Sequence, residues 1–220
     1  MLPADLKFAD AESLADLRTF LVRARAVADG EVRLAAAGSS LAVYVAVLAP
    51  GQLGEAVPTI LGLRVARLAT DPGPGMDAVY PIGAVADRLA RSGAGETVLP
   101  LPPAESTAAW TGVAPPRGGW ERVGECDAGA LRRAAEDGMR AVASALPENA
   151  GRPVLATVRQ RIWSSPMEGS GPVVPTGVAF AAQTLGFLPP EGPVPVFASG
   201  PWLRLTSPVG HVLVRRATLL

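Results

Sequence analysis

Val194-Pro-Val-Phe-Ala-Ser-Gly-Pro-Trp-Leu-Arg-Leu-Thr-Ser-Pro-Val-Gly-His-Val-Leu-Val-Arg-Arg216 divides into three short apolar-rich runs, Val194–Ala198, Trp202–Thr206 and Gly210–Arg216. Each is short enough to be a strand, and each is bounded by Gly, Pro or Ser. Ser207-Pro208-Val209-Gly210 joins the last two as a hairpin. The stretch just upstream, opened by Pro175, is an apolar helix over Thr176 to Leu188 that must be buried on most sides. A helix followed by a run of antiparallel strands, without regular βαβ alternation, reads as α+β.

Moving outward, Val154 to Trp163 carries both periods. Val154, Ala156 and Val158 alternate, while Val154, Val158 and Ile162 recur at helical spacing. Ser164 to Val174 is a loop containing Glu168. Asp127 caps a helix to about Leu146, with Leu131, Ala135, Met139, Val142 and Leu146 on one face and Arg132–Glu136, Arg133–Asp137 and Glu136–Arg140 as i,i+4 pairs on the other. Trp120 to Glu125 is a strand. In the first half, Ser13 and Asp16 suggest a capping box for a helix over 11–28, with Leu14, Leu17, Leu21, Ala24 and Ala28 on its apolar stripe. Strands follow at Val32–Ala36, Leu41–Leu48 (apolar on both faces) and Leu61–Ala69 (Leu63 and Val65 inward). A helix opens at Pro81, with Asp87 and Arg91 paired, and Thr97–Leu101 adds a last strand. The expectation is two small α+β units. Residues 1–100 run α-β-β-β-α-β, and residues 120–220 place helices before a C-terminal antiparallel hairpin or three-stranded meander. Residues 101–119, rich in Pro and Gly, connect them. Trp110 in that connection predicts that it is ordered.

The 220 residues are 49% hydrophobic, with 20 basic and 20 acidic side chains and a formal net charge of zero. Zero net charge argues against a polybasic nucleic-acid arm or an acidic disordered tail. One cysteine, Cys126, excludes an intramolecular disulfide and a cysteine-based metal cage. Lys7 is the only lysine, so there is no Gly-Lys pair for a phosphate loop, and it lies in a stretch read as poorly anchored. Neither G-x-G-x-x-G nor G-x-S-x-G occurs. His211, the only histidine, could serve Cys126 as a base, but Cys126 lacks the Gly-flanked turn of a nucleophile. Glu121 and Glu125, four apart in a strand, and Glu168 in its loop are the nearest approach to catalytic carboxylates. None has a partner at catalytic spacing. No catalytic residue, metal ligand or cofactor is assigned, and the chain leans away from an enzyme. The N-terminus carries charge where a signal peptide needs apolar residues, and the most apolar run is about ten residues against the ~20 of a membrane span. A cytoplasmic location is expected.

From residue 149 onward there are six arginines against Glu168 and Glu191, 6 − 2 = +4. If Val154–Trp163 is a strand, Arg159, Arg161 and Trp163 share a face. With Arg204, Arg215 and Arg216 they form the candidate binding surface.

Val174-Pro-Thr-Gly-Val-Ala-Phe-Ala-Ala-Gln-Thr-Leu-Gly-Phe-Leu-Pro, Trp202-Leu-Arg-Leu-Thr-Ser, Gly210-His-Val-Leu-Val-Arg-Arg, Leu41-Ala-Val-Tyr-Val-Ala-Val-Leu-Ala-Pro and the Ala84-Val-Ala-Asp-Arg-Leu-Ala-Arg helix resemble conserved actinobacterial proteins with no assigned function. The likeness spans most of the chain and implies a GC-rich bacterial, cytoplasmic origin. It implies no activity and no site residues.

By elimination, the expected function is that of a non-catalytic protein-interaction or regulatory protein of a bacterial cytoplasm. The apolar excess predicts a homodimer, and a further protein partner is expected. Two alternatives stand beside it. One is a small-molecule or peptide binder with a pocket between the halves lined by Trp110, Trp163 and arginines. The other is a weak arginine-based nucleic-acid binder, which the charge balance disfavours.

Overall fold

A computed structural model describes residues 4–51, 55–147, 149, 151–167 and 172–216. Glu168, the glycines at 169 and 171 and the side chain of Arg152 lie outside the described residues. The chain falls into two compact units, residues 1–46 with 63–113, and residues 47–62 with 114–220. Both mix helices with antiparallel strands, so the α+β class predicted from sequence holds.

The first unit contains β1 (Asp5–Lys7), α1 (Ala11–Val27), β2 (Glu31–Ala37), most of β3 (Ser40–Leu48), the later part of β4 (Thr59–Arg67), β5 (Asp77–Pro81), α2 (Ile82–Arg91) and β6 (Val98–Pro100). Its strand order is β5-β2-β3-β4, and β1 pairs separately with β6. The sequence pattern misses β1 and β5. Both are short, and Pro81 ends β5 where it reads as a helix start. Lys7 is therefore in a strand rather than a loose end: its neighbour Leu6 is buried and pairs with Leu99.

Asp10, not Ser13, caps α1. Its Oδ1 accepts a 2.7 Å bond from the Ser13 backbone N–H. Leu14, Leu17, Phe20, Leu21 and Ala24 are buried, and each large side chain contributes about 1.5–3 kcal/mol. β3 is not equally covered on its two faces: Leu41, Val43, Val45 and Val47 are buried, while Ala42, Tyr44 and Ala46 are half-buried. On β4, Arg64 turns toward α1 and ion-pairs with Asp16, which sends Val65 outward, 53% exposed. Asp87 pairs with Arg25 of α1 at 3.5 Å instead of with Arg91. Past β6, the Ser106 N–H donates to the Val79 carbonyl of β5 at 2.7 Å, and Arg33 donates to the Thr111 carbonyl at 3.4 Å. This holds the 106–111 segment along the outer edge of β5. Trp110 sits half-buried in a 3-10 turn, Ala109–Gly112.

The second unit holds β7 (Glu121–Asp127), α3 (Ala128–Ala145), α4 (Arg152–Ser164), α5 (Thr176–Thr184), β8 (Pro193–Ser199), β9 (Trp202–Ser207) and β10 (Gly210–Arg215). It also takes the opening residues of β4, and its strand order is β4-β10-β9-β8-β7. Asp127 caps α3, accepting from the Ala130 N–H at 2.8 Å. None of the three expected i,i+4 pairs on α3 is an ion pair among the described residues. Arg132 donates instead to the Pro189 carbonyl at 3.1 Å, and Asp137 pairs with Arg140. α5 ends in a Schellman turn: Phe187 N–H bonds the Ala182 carbonyl, Gly186 N–H bonds the Gln183 carbonyl, and Gly186 takes the left-handed φ of 75° that the turn requires. That stops the helix at Thr184, short of the predicted Leu188.

Strand pairing separates two faces. Val194 and Val196 of β8, Leu205 of β9, and Val212 and Val214 of β10 are buried on the helix side, where Phe187 fills the space over Gly210. Arg122, Phe197, Arg204 and Leu213 line up on the opposite face, with His211 opposite Thr206 and Arg215 opposite Trp202.

Candidate functional site

The five arginines and one tryptophan of the candidate surface occupy three settings. Val154–Trp163 is helical, so the shared face a strand would have made does not exist. At about 100° per residue, Arg159 and Trp163 point one way and Arg161 the other, exposed. Arg216 follows β10. It donates to the Val173 carbonyl at 3.5 Å and borders an open groove of about 680 Å³ with Val123, Pro172 and Trp202.

Trp163 is core, 2% exposed. Its indole stacks on Phe180 of α5 with centroids 4.3 Å apart and planes at 17°. Glycines make the slot. A Cβ at Gly138 of α3 would stand 2.7 Å from Trp163 Cη2 and closer still to Cζ3, and one at Gly177 of α5 would stand 2.9 Å from the Trp163 carbonyl oxygen. The Arg159 guanidinium lies 5.8 Å from the Phe180 ring centre, where burial lowers its pKa.

Arg204 is half-buried on the non-helical face. Its guanidinium carbon lies 4.6 Å from the Trp120 ring centre and 4.9 Å from that of Phe197, both within cation–π range. Burial lowers its pKa, and its Nε is buried without a hydrogen-bond partner. His211 Nδ1 and Thr206 Oγ1 lie 3.1 Å apart. Burial, with the charge of Arg204 second, pushes the His211 ring down to about 4. Arg215 sits two residues along the strand from Leu213, the cross-strand neighbour of Arg204. Trp120 and Phe197 escaped the sequence reading. The signal for Phe197 was the alternation of the C-terminal strands, which puts it beside Arg204 once β8 and β9 are paired in register.

The arrangement does not bring the candidate nucleophile, base and carboxylates together. Cys126 is buried on the helix side, and burial pushes its thiol up, away from the reactive thiolate. His211 is on the opposite face and three strands away, about 14 Å at the usual strand spacing. Glu121 is exposed, and Glu125 is engaged by Arg122 at 2.7 Å. No group of three or more metal-ligating side chains occurs among the described residues. Among them, too, no helix is long and apolar enough to cross a membrane.

A family model described as a domain of unknown function, DUF8010, matches residues 1–112. The chain belongs to the DUF8010 family. A second model, DUF8185, also a domain of unknown function, matches residues 115–219 of this DUF8010 chain. No curated protein matches it. Solved structures do. The DNA polymerase sliding clamp of Caulobacter crescentus superposes with a TM-score of 0.54 at 12% identity, over 98% of this chain and 66% of the clamp. A DnaN sliding clamp, DNA polymerase III subunit beta, of Bartonella birtlesii bound to griselimycin gives 0.55 at 11% identity, over 97% and 65%. A protein from Eubacterium rectale described as a DNA polymerase III beta subunit gives 0.54 at 8% identity, over 97% and 65%. The DUF8010 chain therefore has a sliding-clamp-like fold and spans about two thirds of the length of the clamps it matches.

Proposed function

We propose that this chain is a non-catalytic protein-interaction protein that associates with itself and with at least one other protein. The clamp-like fold over nearly the whole chain carries this reading, because the matched proteins are described as clamps and as subunits of a polymerase. In this reading the halves 1–100 and 120–220, joined by a connection at 101–119, act as its two domains, a division supported by the two family models, which match 1–112 and 115–219. The arginine-rich composition and the resemblance to actinobacterial proteins support a GC-rich bacterial origin and a cytoplasmic place of action. Light scattering at micromolar concentration, joined to a native pull-down with and without nuclease, tests the reading. An oligomer and a stoichiometric, nuclease-resistant partner are expected. A 22.5 kDa monomer without a partner overturns it. The polymerase clamps in the comparison favour one second reading, arginine-based nucleic-acid binding, which requires affinity that falls steeply with salt.

A further inference from the structure

We propose that the face of β8, β9 and β10 carrying Phe197, Arg204, His211 and Arg215, with Trp120 beside it, docks a protein partner that brings a carboxylate to the Arg204 guanidinium. The proposal rests on the protein-interaction reading above and specifies where and by what chemistry the partner binds.

Three observations carry it. Arg204 makes no salt bridge among the described residues, and its buried Nε has no hydrogen-bond acceptor. A partly desolvated, unpaired cation is costly, and an incoming acid relieves that cost. Next, the ring centres of Trp120 and Phe197 lie 4.6 and 4.9 Å from the guanidinium carbon and restrain it, so little side-chain freedom is lost when a carboxylate meets it. Arginine flanked by tryptophan is also the composition of an interface hot spot. Finally, the face is positively charged: Glu125, on the same side, is already engaged by Arg122, and among the described residues Arg204 and Arg215 have no acidic partner. Nucleic acid fits this face less well, since a phosphate backbone is tracked by several exposed cations. Here two half-buried arginines sit beside the half-buried rings of Trp120 and Phe197, above the buried Leu213.

Random dodecapeptides displayed on phage, panned on the full-length protein, are the probe. The expected winners pair Asp or Glu with an apolar neighbour. Arg204→Glu should weaken them about thirtyfold, the loss of one hot-spot residue, and should shift selection toward basic peptides. Trp120→Ala should weaken them too, and Arg133→Glu on the exposed side of α3 should not. If Arg204→Glu fails to fold, Arg204→Lys keeps the charge but loses the fork and should cost about tenfold. Binding should also raise the His211 titration by NMR, as an acid arrives near its ring. Peptides that bind Arg204→Glu unchanged overturn the site but leave the protein-interaction reading standing. No enriched peptide, together with a monomer in solution, overturns both. Binding of a single-stranded 30-nucleotide DNA that depends on Arg204, without peptide binding, replaces the carboxylate by phosphate and overturns the proposal.

Discussion

Glycine to alanine inside a helix ordinarily stabilises by about 0.5–1 kcal/mol, because the folded chain loses less backbone freedom. Gly138 should reverse that sign. Its new methyl would stand 2.7 Å from Trp163 Cη2, where carbon atoms prefer about 3.6 Å, so the indole must retreat by at least about 0.9 Å. Retreat is blocked on both counts that matter. The ring is stacked on Phe180 at 4.3 Å, and α5 packs so closely on the other side of Trp163 that a Cβ added at Gly177 would stand 2.9 Å from the Trp163 carbonyl oxygen. Overpacking of this kind costs about 1–3 kcal/mol. Set against the backbone gain, Gly138→Ala should destabilise by about 1–2 kcal/mol. Urea unfolding followed by far-ultraviolet circular dichroism measures it. Gly83→Ala on α2, where the nearest atoms are flexible arginine ends at 3.6 Å or more, is the internal control and should stabilise. Adding Trp163→Phe should return part of what Gly138→Ala loses. A Gly138→Ala protein as stable as the parent, or more so, refutes the slot.

Removing the cap of α3 with Asp127→Ala should cost about 1 kcal/mol by the same unfolding assay. His211 gives a pH dependence. Its folded pKa, about 4, lies below the ordinary 6.5, so between those values the unfolded chain binds a proton that the folded one refuses. Its contribution is whole above pH 6.5 and shrinks as pH falls toward 4. The thermal midpoint of His211→Gln should therefore fall less than that of the parent across this window. Iodoacetamide at pH 8 should leave Cys126 unmodified in the native protein and alkylate it in urea, as mass spectrometry would show.

The long elements were legible because their patterns are long. Strict apolar recurrence marks α1 and α3, and Gly, Pro and Ser punctuate the C-terminal meander. What failed was local chemistry decided by distant partners. Ser13 and Asp16 look like a capping box, but Asp10 reaches the Ser13 N–H and Asp16 is taken by Arg64. The charges on α3 read as a ladder, yet Arg132 finds the carbonyl of Pro189. The 154–163 segment carried two periods at once; it is helical, and it packs Trp163 into a slot made by glycines 25 residues before it and 14 after. The Arg204 setting was half legible. The arginine was singled out by charge, but Trp120 and Phe197 become its neighbours only through tertiary packing and strand register, which no single run of sequence displays.

The bond from Ser106 to the Val79 carbonyl also bears on handling. A sheet border with free carbonyls is a template for any passing extended chain, and this border is already occupied by the protein's own backbone. Residues 103–105 just before it are exposed and accessible to a protease. A single nick there would untether the guard from one side while leaving the core intact. Preparations that lose mass at this point should precipitate on storage before they lose helicity.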